Sequence, residues 1–155
     1  METHAIPAFH TQDAIMAIVV AIVFILVSSL LKEPNRQNLM AIMVSGAGAA
    51  YLNGGLGVWE FAFTAIVTFC AYKGLQSYSF IGMGWMLHTI WDVIHHFYGN
   101  PIIPFIPTSS AQCAITDMFI ALWFFAHAPS VFDYFQHRGS ERGKANEDPA
   151  DHDRP

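Results

Sequence analysis

The sequence has few charged residues. Only 12% of its 155 residues are Asp, Glu, Lys or Arg, about half of the roughly 25% that is usual in soluble domains. Hydrophobic residues make up 54%, and the mean hydropathy of +0.37 already includes a polar tail after Arg138. This balance argues against an ordinary soluble domain and is typical of a small multi-pass membrane protein.

Basic residues are scarce and form no stripe, so a nucleic-acid partner is excluded. The chain has 7 Lys and Arg residues in all, and none precedes Lys32. The segment METHAIPAFHTQD therefore lacks the positive start of a cleavable signal peptide. We expect the first apolar run to be retained as a helix.

Cysteine is also rare, because the chain contains only 2. Cys70 and Cys113 would lie at opposite depths of the membrane in the arrangement described next. We therefore expect no disulfide, and both residues to behave as small buried apolar side chains.

The apolar residues group into five runs that approach the roughly 20 residues needed to span a membrane. The predicted fold is accordingly an all-α integral membrane bundle of five transmembrane helices, occupying residues 14–135. The five predicted spans are about 14–31, 38–52, 58–72, 78–98 and 110–128.

The positions of the Lys and Arg residues provide an independent test of the five-span arrangement. With five spans, all of them fall on one side of the membrane: between spans one and two, between spans three and four, and after span five. Positive charge favours the cytoplasmic side. The sequence thus predicts an external N-terminal segment (residues 1–13), a disordered cytoplasmic tail (residues 136–155) and an inner (plasma) membrane location.

Ionisable residues interrupt the fourth span, in the stretch LHTIWDVIHH (residues 87–96). At about 100° per residue, Asp92 lies about 40° from His88, His95 about −20° and His96 about 80°. One face of the helix is therefore polar, and the opposite face carries Met83, Ile90, Val93 and Phe97. Ionisable residues in a membrane are expected to point into the bundle.

Two acidic residues of neighbouring spans should lie close to this face. Counted from the outer ends of their spans, Asp92 and Asp117 lie at similar depths, and Glu60 lies level with His95 and His96. Span five carries small residues on the Asp117 face, which permit close approach of the two helices. We expect these side chains to converge in the outer half of the membrane.

Imidazoles and carboxylates together suit zinc, iron or manganese. We expect a divalent metal held by His88, Asp92, His95, His96 and Asp117. Asp92 is alternatively a residue that orients a ligating histidine, and Glu60 is a general base or a further ligand. The apolar loop NPIIPFIPTSS (residues 100–110) would cover the site at the outer face. Haem is not expected, because His88 faces no second histidine at its own depth. A nucleotide is not expected either.

The predicted function is that of a metal-dependent enzyme acting on a lipid-like substrate. Two other classes use the same residue types. In a small transporter or proton-relay protein, the cluster would carry protons or ions across the membrane. In a non-catalytic subunit of a membrane complex, it would be a structural polar core. Membrane lipids are the expected neighbours, and the small residues Ser45, Gly46, Ala49 and Ala50 suit packing within the chain or in a homo-oligomer.

The run GWMLHTIWDVIHHFYGNPIIPFIPTSSAQCAITD (residues 84–117) resembles the signature region of a small family of bacterial integral membrane proteins, a domain of unknown function. The resemblance covers most of the chain except the C-terminal tail. It implies a multi-pass topology in the bacterial inner membrane and no particular activity.

Two better-known families share fragments of the fourth span. The sequence DVIHH (residues 92–96) is similar to the HxxHH box of membrane fatty-acid hydroxylases and desaturases, with aspartate in place of the first histidine. Those enzymes use several histidine boxes, whereas this chain has one. The mixture of Asp, His and Ser in the spans is similar to that of alkaline-ceramidase-like zinc hydrolases, which have seven spans.

Overall fold

The computed structural model describes residues 6–52 and 54–132, and these residues form α-helices and no strands. The predicted all-α class is therefore confirmed. The described residues hold five helices, which are α1 (Thr11–Ser29), α2 (Asn35–Ala49), α3 (Val58–Gly74), α4 (Tyr78–Tyr98) and α5 (Ser109–Phe125). The predicted cytoplasmic tail (residues 136–155) and the first five residues lie outside the described part.

The helices begin and end where local chemistry sets the limits. α1 begins before the predicted span because the Asp13 carboxylate accepts a hydrogen bond from the His10 N–H at 2.9 Å, which satisfies one of the free donors at a helix start. α2 begins directly after Pro34. α5 ends at Phe125, and His127 and Ala128 then adopt positive φ values of 63° and 45°. The α4 range coincides with the predicted fourth span.

The helices alternate in direction, and two sets of contacts define the ends of the bundle. At the first end, the Gln37 side chain donates to the Gly74 carbonyl at 2.8 Å, which joins the start of α2 to the end of α3. We call this the basic end, because it carries Lys32, Arg36 and Lys73.

At the opposite end, the Asn100 N–H donates to the Gly54 carbonyl at 2.7 Å, and the Gln112 amide donates to the Asp13 carboxylate at 2.8 Å. We call this the proline end, after Pro101, Pro104 and Pro107. Its described residues, 6–13, 50–52, 54–58 and 99–110, contain no Lys or Arg.

The α4 helix lies in the middle of the bundle and packs most extensively against α5, with α3 and α2 on its other sides. α1 packs against α5 through the small residues Ala17 and Ala21, and the Thr116 hydroxyl donates to the Ala17 carbonyl at 3.0 Å. The apolar core includes Val44, Val67, Ile81, Ile120 and Phe124. Cys70 and Cys113 are both free thiols. Cys70 is buried as expected, whereas Cys113 is only partly buried.

Large apolar side chains are also exposed on the outer surface of the bundle. Most of α1 is exposed, including Ile15, Val19, Val23 and Val27, and α3, α4 and α5 expose Phe61, Ile90 and Leu122 in the same way. In the described part of the chain, α1 is the one helix whose length and composition suffice to cross a membrane. A core helix or an N-terminal signal sequence also meets that test, and the other helices are too short or too polar for it.

Candidate metal centre

The site is built on the inward face of α4. His88, Asp92 and His95 are each at most 1% exposed, because spacings of three and four residues place them along one side of the helix. The opposite face exposes Met83, Ile90, Val93 and Phe97. The polar and apolar faces of α4 are therefore those that the helical spacing predicts.

α4 and α5 approach closely because small residues line their contact. A Cβ added at Gly82 would lie 3.1 Å from the Ala121 carbonyl oxygen, and Ala114 and Ala121 are buried on the α5 side. This close packing brings Asp117 of α5 to Asp92 of α4. His88, Asp92 and Asp117 each offer a ligand atom within 4.8 Å of the other two, and all three side chains are buried.

Much of the hydrogen-bonding capacity in this group is unused. Within the described part of the chain, neither carboxylate oxygen of Asp92 nor Nε2 of His88 has a hydrogen-bond partner. The His88 ring instead lies among aromatic rings, with centroid distances of 5.0 Å to Phe63 and 5.6 Å to Trp85. Leaving such an atom buried and unpaired costs roughly 1–3 kcal/mol, so a ligand that engages these atoms would be favoured.

A second pair of ionisable residues lies nearer the proline end. His95 Nε2 is 4.0 Å from Glu60 Oε1, and both side chains are almost fully buried. The Leu56 N–H donates to Glu60 Oε1 at 2.8 Å and holds the carboxylate in place. His95 Nδ1 lies 3.4 Å from the Asn100 carbonyl oxygen, so a proton on Nδ1 would leave the Nε2 lone pair facing Glu60.

Two glycines confine the His95 ring. A Cβ added at Gly54 would lie 2.2 Å from His95 Cε1 and 2.9 Å from Glu60 Oε1. A Cβ at Gly99 would lie 2.4 Å from His95 Nδ1. Only glycine therefore allows the two loops of the proline end to close over this histidine without displacing it.

The predicted ligands do not form one group. His88, Asp92 and Asp117 are together, whereas His95 pairs with Glu60, and His96 lines a cavity of about 200 Å³ at the proline end. His95 shares the face of His88 but lies seven residues, about 10 Å, further along α4, beside Glu60. His96 lies about 80° around the helix from His88 and lines the cavity at the start of α5. Among the residues described, no group of three or more candidate ligands includes His95 or His96.

Sequence reasoning missed three neighbours of the site. The Tyr51 ring lies between the two groups, 5.7 Å from the His88 ring and 4.6 Å from the His95 ring. Ser110 is buried with its hydroxyl unpartnered by any described residue, and Asn100 contacts His95 through its backbone. Ser110 lies seven residues before Asp117 on the same helix face, which is a signal that the sequence contained. No comparable pattern identifies Tyr51 or Asn100.

A comparison with models of known protein families identifies the family of this chain. The model of DUF6010, a family of unknown function, matches residues 12–130. The chain belongs to the DUF6010 family. The matched range includes nearly all of α1, the other four helices and every residue of the candidate site, so the expected membership of a family of unknown function is confirmed. No curated protein and no solved structure matches this DUF6010 chain.

Proposed function

We propose that this DUF6010 protein is a metal-dependent enzyme of the inner membrane that acts on a lipid-like substrate. The observation that carries the proposal is the buried group of His88, Asp92 and Asp117, whose ligand atoms lie within 4.8 Å of one another. The proposal has three parts: a five-span topology, a divalent metal ion, and hydrolysis as the reaction.

The exposed apolar surface supports the five-span topology. Soluble monomers rarely expose contiguous apolar patches of more than a few hundred Å², whereas every long helix here exposes large apolar side chains. α2 has 15 residues, about 22 Å at 1.5 Å per residue, so its span would include the apolar residues Ala50, Tyr51 and Leu52. The described Lys and Arg residues all lie at the basic end, which would face the cytoplasm.

The donor set supports a divalent transition metal. One imidazole nitrogen and two carboxylates suit zinc, iron or manganese. Three protein ligands leave a coordination position for water, as in catalytic zinc sites. A metal ion there would also neutralise two carboxylates that otherwise repel each other in a buried location.

The Glu60–His95 pair supports hydrolytic chemistry. A metal ion there would supply an activated water as the nucleophile. Glu60 lies on the other side of the Tyr51 ring from the three ligands, so it would act as general base through an intervening water. Held by the Leu56 N–H, Glu60 would pass the proton to the facing His95 Nε2, which would protonate the leaving group. Cavities of about 450 Å³ and 200 Å³ at the proline end lie next to this pair and would admit substrate from the outer leaflet.

The packing below the cluster argues against a transporter. A relay across the membrane needs polar groups that continue to the basic end. Toward that end, the described residues that follow His88 inside the bundle are apolar and buried, namely Val44, Ile81, Trp85, Ile120 and Phe124. The ionisable residues thus connect to the proline end alone, which suits a one-sided catalytic pocket.

Elemental analysis of the detergent-purified protein tests the metal site. We expect near-stoichiometric zinc, iron or manganese in the wild type, and its loss in His88→Ala and in the nearly isosteric Asp92→Asn. His96→Ala is the matched control, because His96 lies outside the three-ligand group, and it should retain the metal. A folded wild type that neither contains metal nor takes it up would contradict the proposal.

A further inference from the structure

A small cavity lies between the end of α4 and the start of α5. Its volume is about 200 Å³, which is enough to hold a small ion or polar headgroup. The residues that line it are Pro7, His95, His96, Gly99, Pro101, Pro107 and Ser110. None of these carries a carboxylate.

Two polar side-chain atoms of the residues that line this cavity have no partner within the described chain. They are His96 Nδ1 and Ser110 Oγ, and Ser110 is only 1% exposed. His95 Nε2 also has no hydrogen-bond partner among the described residues, but it faces Glu60. Buried polar groups are normally hydrogen-bonded, so the two unpaired atoms beside one cavity indicate a polar ligand there.

The start of α5 favours a ligand with negative charge. Ser110 is the second residue of α5, a helix of 17 residues. The first N–H groups of a helix have no acceptor within it and carry partial positive charge, which favours an anion. The Asp13 carboxylate also lies at the start of α5, where it accepts hydrogen bonds from Thr108 and Gln112, and Glu60 lies behind the His95 ring. Neither carboxylate lines the cavity.

We propose that this cavity binds a phosphate-type oxyanion, held by the Ser110 hydroxyl, the His96 imidazole and the N-terminus of α5, with His95 as the wall toward Glu60. The assignment rests on the proposed function in naming the substrate class, which becomes a lipid-like molecule with a phosphorylated headgroup. Free inorganic phosphate shares this chemistry and is the other source of such a ligand. The Ser110 hydroxyl and a protonated His96 Nδ1 can each donate to a phosphate oxygen.

Calorimetric titration of the full-length protein in detergent tests the oxyanion site. The probes are dihexanoyl phosphatidic acid, inorganic phosphate and the uncharged dihexanoylglycerol. We expect saturable binding of the phosphatidic acid, no saturable binding of the diacylglycerol, and a dissociation constant raised about tenfold in Ser110→Ala, the loss expected for one hydrogen bond to a charged group. His96→Ala should weaken binding similarly.

Two further variants locate the bound anion within the bundle. Ser45→Ala removes a hydroxyl on α2 that faces Thr68 and should leave the affinity unchanged. His88→Ala should lose the metal and retain phosphate binding, whereas Ser110→Ala should retain the metal and lose affinity for phosphate. Failure of the metal site and failure of the oxyanion site are therefore observed separately.

The outcomes assign the ligand or reject the site. Binding of inorganic phosphate as tight as that of the phosphatidic acid, with the same dependence on Ser110, would support the site and assign free phosphate as its ligand. Absence of saturable binding of both anions to folded wild type would overturn the proposal. So would binding that depends on His88 and is indifferent to Ser110 and His96.

Discussion

At the residue scale, the most constrained side chain is the His95 imidazole. It is confined by Gly54 and Gly99, by the Tyr51 ring and by the Glu60 carboxylate. A histidine that is held on every side keeps one ring orientation, which a general acid needs in order to meet its substrate. The glycines are therefore as important to the proposed chemistry as the ionisable residues.

Gly54→Ala tests this confinement. The new methyl group would overlap His95 Cε1 at 2.2 Å, so the ring or the loop must move. We expect a loss of about 1–3 kcal/mol in stability, as for other overpacked sites, measured by thermal unfolding in detergent. The rate of lipid hydrolysis should fall by more than the loss of folded protein accounts for, because the Glu60–His95 geometry changes.

Gly46→Ala is the matched control, since a Cβ there meets nothing within 4 Å and the position is inside α2. Alanine is favoured over glycine in a helix by about 1 kcal/mol, so this variant should be unchanged or more stable. If Gly54→Ala behaved like Gly46→Ala, His95 would not be confined as described.

The sequence predicted part of this site because helical spacing is regular. The common face of His88, Asp92 and His95, and the meeting of Asp92 with Asp117, follow from counting residues along two helices. The division of the ligands into two groups does not, since it depends on which side chains of α3 and α5 lie at each depth beside α4. The Tyr51 ring between the groups depends on a turn whose path the helical pattern does not specify.

At the element scale, a cluster of polar residues joins the two turns of the basic end. Arg36 forms an ion pair with Glu33, with its Nη2 at 2.6 Å and its Nε at 2.7 Å from Glu33 Oε1. The Tyr78 hydroxyl donates to the same carboxylate oxygen. Residues of the α1–α2 turn and the start of α4 are thereby held together.

Glu33 should make the stability depend on pH. Partial burial raises its pKa, but the hydrogen bonds from Tyr78 and Arg36 and the charge of Arg36 outweigh this, and the pKa lies below its ordinary value of 4.5. A carboxyl group with a lowered pKa stabilises the fold at pH values above its ordinary pKa, and the contribution is lost as the pH falls through the folded-state pKa. We expect Glu33→Gln to unfold at a lower temperature than wild type at pH 7, with the difference closing below about pH 4.5.

Lys32→Gln provides the comparison for this pH profile. Lys32 is an exposed residue of the same turn, and its replacement also removes one charge from the basic end. Its unfolding temperature should follow that of wild type across the range. A gap between Glu33→Gln and wild type that stays constant from pH 7 down to about pH 2, below the folded-state pKa of the carboxyl group, would show that the Glu33 charge does not contribute.

The existence and order of the helices could be predicted because long apolar runs separated by charges and prolines are strong signals. Their exact limits could not. The hydrogen bond between His10 and Asp13 extends α1 toward the N-terminus, and the positive φ values at His127 and Ala128 end α5 early. Such local contacts are not visible in the periodicity of apolar residues.

At the scale of the whole molecule, the proposed topology makes the two ends chemically accessible from opposite sides of the membrane. We expect Phe105→Cys, at an 83% exposed position of the proline end, to react with a membrane-impermeant maleimide on intact cells. Gln76→Cys, in the α3–α4 turn, should react only after the membrane is permeabilised. The parent chain, with its buried Cys70 and half-buried Cys113, measures the background.

Equal labelling of both positions on intact cells would contradict the five-span topology. The opposite pattern, with Gln76→Cys labelled from outside, would keep the spans and reverse their orientation. The second result would also place the oxyanion cavity on the cytoplasmic side and change the leaflet from which a substrate enters.

The measurement that tests the central claim most directly is X-ray absorption spectroscopy of the metal-loaded protein. For zinc bound by His88, Asp92 and Asp117, we expect one ion per chain, a shell of nitrogen and oxygen ligands at about 2.0–2.2 Å, and the scattering signature of a single imidazole. That signature should disappear in His88→Ala and persist in His96→Ala. A spectrum with two or more imidazoles, with sulfur, or with no stoichiometric ion in folded protein would contradict the site.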